Sequence, residues 1–269
     1  MRPRLLLALL LVSPAPLVAQ AGAPAELPNA AVLEFEKYAD IYGGRLVAAF
    51  DSIPADKYGY RPTPVEFTVG FIAQHLEHAN YALCGTFGHL KHATTPKDAL
   101  PDSVKAQWPK DTLVARLRAS VQFCDSALDR VGDPGNPDAT GTLLGFETDL
   151  AEHYAQLSVY MRLLGLVPPS ALARVFPPVV ALPPSALAPY VGTYELTHGL
   201  DFVVTQRDGG LWIRSTNVAT SVRLWPESPS EFFAKDVDAD VTFVRGADGH
   251  VTGLKFRQYG RSRPARSIH

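Results

Sequence analysis

Long apolar runs are scarce in this 269-residue sequence: beyond its first residues no stretch approaches 18 uninterrupted apolar positions, which excludes a membrane-spanning helix from the reading. Charge of either sign is thin as well. Lys and Arg number 25 against 27 Asp and Glu, a net charge of -2, so there is no basic excess of the kind a nucleic-acid partner requires. Cysteine is reduced to Cys84 and Cys124, which rules out a paired Cys-x-x-Cys motif. No Ser-His-Asp order and no Gly-rich phosphate loop is present either.

What is present begins with a leader. Arg2 and Arg4 precede an apolar run over 5–12, and Ala19-Gln20-Ala21 has the small-x-small pattern of a signal-peptidase site. Residues 1–21 therefore read as a signal peptide, and the mature chain is expected to start near Gly22 and to be secreted or periplasmic. No cysteine follows the cleavage region, so no lipid anchor is expected in the mature form. Loss of Arg2 and Arg4 takes the net charge from -2 to -4, since the leader holds no acidic residue. In an oxidising compartment Cys84 and Cys124 have two readings, left open here. One is a disulfide closing a loop of about 40 residues, worth about 4 kcal/mol in the chain-entropy model. The other is two separate buried thiols, each acting as a small hydrophobe.

The mature chain divides by its periodicity. Over 30–53 the residues Val32, Leu33, Phe35, Tyr38, Ile41, Tyr42, Leu46, Val47 and Phe50 recur at steps of three and four, the helical period. Pro54, and then Pro62 and Pro64, stop that helix. A second is expected from Thr68 as N-cap to about Leu90, a third from Asp111 to just before Gly132, and a fourth over 143–164, closed by Gly165 and Pro168-Pro169. Four amphipathic helices predict an all-α, up-down four-helix bundle over 28–166. Residues 167–186 are rich in proline and read as a semi-rigid linker. From 187 to 269 the period becomes two, with β-rich runs at 190–196, 202–206, 211–215, 222–225, 232–234, 241–244 and 251–258. Asp208-Gly209 and Asp248-Gly249 are hairpin-turn signals. This part predicts a small all-β antiparallel domain, barrel-like or lipocalin-like.

Three side chains stand out as metal ligands. Asp149 and His153 are four residues apart on the fourth helix and share a face, so one ion could be held between them. His75 lies inside the second helix and could close the site from across the bundle. Two imidazoles and a carboxylate leave coordination positions open, as catalytic metal sites do. The plainer reading of Asp149 and His153 is an i,i+4 pair, and of His75 a hydrogen-bonded helix residue. His78 reads as a helix-surface residue or a support behind the site. Glu152 and Tyr154 point to other faces, and His89 and His92 complement a helix C-terminus.

The helical part also resembles the DinB-like family over 53–169. The likeness is carried by Ile53-Pro54-Ala55-Asp56-Lys57-Tyr58, Arg61-Pro62-Thr63-Pro64, Gln74-His75-Leu76, Glu152-His153-Tyr154-Ala155-Gln156, Val159-Tyr160-Met161-Arg162 and Gly165-Leu166-Val167-Pro168-Pro169. That family usually holds a divalent metal with three histidines, one in the second helix and two spaced H-x-x-x-H in the last. His75 and His153 match two of them, and Asp149 stands at the third position. The resemblance implies a divalent ion (zinc, nickel, manganese or iron) held by His75, Asp149 and His153, and a hydrolase or thiol-transferase activity whose general base is unassigned. Asp149 lowers the charge of such a site by one and should weaken its Lewis acidity. The tail resembles a small β domain found behind secreted β-lactamase-like domains, through Tyr190-Val191-Gly192-Thr193-Tyr194-Glu195, Phe232-Phe233-Ala234-Lys235, Val241-Thr242-Phe243 and Gly253-Leu254. That resemblance implies a lipocalin-like sheet with a ligand hollow, whereas Val204, Leu211, Ile213, Leu224, Phe233, Phe243 and Leu254 read as an ordinary core. The expected partner is a small-molecule ligand or substrate, and a homodimer is compatible with the sequence. The competing expectation is a non-enzymatic secreted binding module with a degenerate metal site.

Overall fold

A computed structural model describes residues 29–132 and 135–268; the expected signal peptide, 1–21, lies outside the described residues. Helices come first and a closed antiparallel barrel follows. Among the described residues no helix is long and apolar enough to cross a membrane.

Helix α1 (Ala30–Ser52) starts where the Asn29 side chain accepts from the Ala31 N–H and stops before Pro54. Helix α2 (Val69–Phe87) is capped by Thr68, as the sequence predicts, but ends short of Leu90. Gly88 follows it because a Cβ there would lie 2.5 Å from Cβ of Ala127, and His89 then turns the chain away at φ 50°. Helix α4 (Lys110–Leu128) follows a four-residue helix, α3 (Asp102–Lys105). Helix α5 (Pro137–Leu163) begins earlier than its apolar period suggests: Asn136 caps it through the Asp138 N–H and Pro137 sits at its start, where a missing N–H costs nothing. A last short helix, α6 (Pro184–Leu187), lies in the Pro-rich stretch. The four helices expected are thus six among the described residues, because single turns such as α3 and α6 are too short to carry a readable period.

The long helices α1, α2, α4 and α5 enclose one apolar core, in which Leu46, Phe50, Ile72, Leu76, Leu117 and Leu157 are fully buried. α2 packs on α4 and α5, and α1 packs on the same two. Cys84 and Cys124 form a disulfide between α2 and α4, their Cα atoms 5.1 Å apart.

The barrel runs β1 (Gly192–Thr197), β2 (Leu200–Arg207), β3 (Gly210–Ser215), β4 (Val222–Pro226), β5 (Glu231–Ala234), β6 (Ala239–Arg245), β7 (Val251–Gln258) and β8 (Arg261–Ser267), each strand paired with the next and β8 with β1. Closure leaves no free sheet edge to aggregate. Asp208 (φ 52°) and Gly209 (φ 69°) make the tight β2–β3 turn. The eighth strand is absent from the sequence reading because Arg261-Ser262-Arg263-Pro264-Ala265-Arg266 offers no apolar alternation. Pro264 falls on the stretch of β8 that β1 leaves unpaired, in keeping with proline's restriction to strand edges. Phe233 belongs to a different contact from the other expected core residues: it stacks on Phe176 of the Pro-rich stretch, centroids 5.9 Å apart. That stretch is fastened along the barrel, with Val180 N–H donating to Pro226 O at 2.9 Å and Arg174 to Val237 O at 2.7 Å.

Helix α1 touches both parts. Its Leu33 belongs to the barrel core. Arg261 on β8 reaches Asp40 of α1 (Nε to Oδ2, 2.8 Å) and Asp125 of α4 (3.0 Å), and Arg263 pairs with the buried Glu36.

Candidate metal centre

His75, Asp149 and His153 meet where α2 packs against α5, and one donor atom of each lies within 4.8 Å of the others. His75 sits at the end of the second turn of α2, while Asp149 and His153 are one turn apart on α5, so two rigid helices set the geometry. Asp149 Oδ1 is 3.3 Å from His75 Nε2 and 3.5 Å from His153 Nε2, and the two imidazole centroids are 4.9 Å apart. Donor atoms about 2.0–2.2 Å from a tetrahedral ion sit roughly 3.3–3.6 Å from one another, so both separations already suit one.

The surroundings favour charge on Asp149. Burial works to raise its pKa, but hydrogen bonds from His153 and His75 outweigh that and hold the carboxyl down at about 2. Burial likewise opposes a charged His153, yet its bonds to Asp149 and Gln156 push its pKa up.

A hydrogen-bond chain behind His153 decides which nitrogen faces the carboxylate. The Gln156 amide donates to Glu66 Oε2 at 3.4 Å and to the Tyr160 hydroxyl at 3.1 Å, which fixes its Nε2 on that side. Its Oε1 then accepts from His153 Nδ1 at 3.0 Å. With the proton on Nδ1, the Nε2 lone pair points at the Asp149 carboxylate, and two acceptors facing each other need a second ring proton or a cation between them. The other carboxylate oxygen, Asp149 Oδ2, is buried with no hydrogen-bond partner among the described residues. A buried acceptor left unpaired carries a desolvation cost that a bound cation removes. The donor set, its spacing and this orphaned oxygen fit a divalent ion.

His75 is stacked by Phe71 (centroids 6.4 Å, planes 8° apart), which is itself stacked by Phe67 at 4.5 Å. Phe67, Phe71 and Glu66 also line an open hollow of about 760 Å³ together with Tyr58 and Trp108. The hollow lies beside the three ligand candidates without including them.

All three predicted residues converge. His78 is exposed, as is Glu152, whereas Tyr154 is buried and its hydroxyl accepts from the Ser170 N–H at 2.8 Å. His89 is exposed, and His92 stacks on Tyr81 with centroids 3.8 Å apart. Sequence reasoning overlooked Glu66, Gln156 and Tyr160. The signal for two of them was there, since Gln156 follows His153 by three residues and Tyr160 follows Gln156 by four, one continuous helix face. Glu66 carries no such signal, because only the fold brings its loop to α5.

With the geometry established, comparison with known proteins bears on the other half of the chain. Residues 177–266 match the family described as a domain of unknown function, DUF3471. The C-terminal part is a DUF3471 domain. The match opens inside the Pro-rich stretch, which agrees with the way that stretch is fastened to the barrel. No curated protein matches the chain. Among solved structures it is similar to one described as the crystal structure of SurE, at 24% identity over 44% of this chain and 27% of that one, with a TM-score of 0.29. A second, SurE with D-Leu, is 22% identical over 44% and 28% of the two chains, with a TM-score of 0.28. The chain thus spans little more than a quarter of the length of these structures.

Proposed function

We propose that this is a secreted, DinB-like four-helix-bundle protein carrying a DUF3471 domain, and that His75, Asp149 and His153 bind a divalent metal ion that serves a hydrolase or thiol-transferase activity. The observation that supports the reading best is the half-buried carboxylate of Asp149, with one oxygen 3.3 and 3.5 Å from two imidazole nitrogens and the other, itself buried, without a hydrogen-bond partner among the described residues. A divalent ion at such a site supplies a Lewis acid that lowers the pKa of an oxygen or sulfur group.

The chain's own residues have separable tasks. Gln156, held by Glu66 and Tyr160, sets the His153 tautomer so that Nε2 is free to ligate. The Phe71 ring limits rotation of His75. The hollow bounded by Phe67, Phe71 and Trp108 is the place for a substrate, with Glu66 at the point where hollow and hydrogen-bond chain meet. The Cys84–Cys124 disulfide supports export to an oxidising compartment.

Calorimetric titration of the mature chain, purified without a His tag, with zinc, nickel and manganese tests the assignment. Saturable binding at one ion per chain is expected, with loss of at least tenfold in affinity for His153→Ala, His75→Ala and Asp149→Ala, and retained or stronger binding for Asp149→His. Negligible heats for wild type and His153→Ala alike would refute it.

A second reading has one observation in its favour. Hydrogen bonds from both histidines to Asp149 make the trio a self-contained polar cluster, so a non-enzymatic binding module with a degenerate metal site remains the competing outcome of the same titration.

A further inference from the structure

The arginines of the barrel divide into two groups. Those on β7 and β8 each meet a carboxylate: Arg257 pairs with Asp240, Arg261 with Asp40, Arg263 with Glu36 and Arg266 with Glu195. Across the barrel the pattern reverses. Inward Leu211, Ile213 and Leu224 set the alternation of β3 and β4, which turns Trp212, Arg214, Arg223 and Trp225 outward. Trp212 and Arg223 are cross-strand partners, and neither strand holds an acidic residue. Arg207 at the end of β2 and Lys235 just after β5 extend this outer face. The four cations Arg207, Arg214, Arg223 and Lys235 have no carboxylate partner among the described residues. Three of them are held by rings instead. The Arg207 guanidinium lies 4.1 Å from the Trp212 centroid, and Arg223 and Lys235 lie 4.1 and 4.2 Å from that of Trp225. Stacking on an indole orders a cation without neutralising it, so the charge stays available to an outside partner.

A second feature adjoins this face. The Pro-rich stretch lies along β4 and β5, with the Val180 N–H bonded to Pro226 O and with Phe176 stacked on Phe233 and 5.9 Å from the Lys235 ammonium. That seat makes it a fixed strap, yet Leu172, Val175 and Val179 on it are 60%, 96% and 45% exposed. Single apolar residues in water are ordinary. Three within eight residues, on a fastened strap bordered by unpaired cations, form a patch of the kind that meets another surface.

Charge and apolarity together choose the partner. A nucleic acid or an acidic polysaccharide would satisfy the cations and leave Leu172, Val175 and Val179 in water. An anionic bilayer satisfies both: headgroup phosphates meet the cations, the apolar tips enter the acyl boundary, and the indole rings suit the level between. We propose that the outer face of β3 to β5, together with the strap at 172–180, docks the protein on an anionic lipid surface. This site is separate from the metal centre and rests on none of its residues.

Co-sedimentation of the full mature chain with phosphatidylcholine vesicles, with and without about one-third phosphatidylglycerol, tests it. Binding should be at least tenfold stronger to the anionic vesicles and should weaken steeply as salt is raised to about 0.5 M. Each cation near such a surface is worth about fivefold, so Arg207→Glu combined with Lys235→Glu should cost at least tenfold. Both side chains are exposed, so the pair should fold. Lys91→Glu combined with Lys97→Glu makes the same change of charge at exposed sites of the helical part and should leave binding within about twofold. Leu172→Ser combined with Val175→Ser should weaken binding at least fivefold while keeping its salt dependence. The proposal is overturned by absence of sedimentation with anionic vesicles, by equal binding to both kinds of vesicle, by equal losses in the two Glu pairs, or by unchanged binding in the Ser pair. Retention on heparin without vesicle binding would overturn it as well, assigning the face to a polyanionic chain.

Discussion

Glu147 on α5 has both carboxylate oxygens buried without a hydrogen-bond partner among the described residues, and burial, assisted by repulsion from Asp40, raises its pKa to about 8. Asp125 is raised to about 6 for the same first reason, with Arg261 only partly opposing it. A carboxyl whose pKa is higher folded than unfolded binds its proton more tightly in the folded state, so the folded state gains as pH falls through that window. Stability should therefore rise from pH 8 towards about pH 5, where both groups are protonated in the fold. The opposite sign applies to Asp149 and Asp98, each held at about 2, whose contributions are lost as pH drops below the ordinary carboxylate range. Glu147→Gln removes the buried charge and should raise the melting temperature at pH 8 and flatten its rise towards pH 5. Thermal melts across that range check it, and an unchanged slope would show that Glu147 is ionised in water-filled surroundings.

Helices α2 and α4 are joined by the Cys84–Cys124 disulfide, and α2 is also the helix that carries His75. Closing a loop with a separation of 40 residues restricts the unfolded chain by about 4 kcal/mol in the chain-entropy model. Asn80 and Ser120 lie between the same helices, with the Asn80 amide donating to the Ser120 hydroxyl at 3.0 Å, a second contact that does not depend on the disulfide. A Cys84→Ser, Cys124→Ser double variant should lose roughly 3–4 kcal/mol in denaturant unfolding while keeping its helical circular dichroism. Loss of helix in the native baseline would mean that the bond is needed for the bundle to form at all. At this scale the sequence was legible where period and cap coincide: Thr68 before α2 marks a true start. It was silent for α3, α6 and the first turn and a half of α5, where 137–142 has no apolar residue on a helical period.

Helical part and barrel are joined by more than a tether. Arg263 on β8 pairs with Glu36, which is 4% exposed, and Arg261 bridges Asp40 and Asp125 from two helices. A charge this buried costs several kcal/mol when its partner is removed. Arg263→Ala should thus destabilise the protein by about 3 kcal/mol and separate barrel from helix unfolding, whereas Glu36→Leu combined with Arg263→Leu should recover most of the loss. Near-ultraviolet and far-ultraviolet circular dichroism, followed together through a melt, read the coupling. Coincident transitions in Arg263→Ala would deny the pair that role. The four long amphipathic helices and the all-β tail were legible because each depends on order along the chain: a 3.6 period and a period of two. His75, Asp149 and His153 were legible for the same reason, since the i,i+4 spacing puts Asp149 and His153 on one face before any packing occurs. The eighth strand, the Arg261 and Arg263 contacts and the Glu66–Gln156–His153 chain were decided only by tertiary structure. Each joins residues far apart in sequence, and β8 is held in the barrel by the ladder of β7 and the carboxylates of α1 and α4 rather than by any apolar pattern of its own.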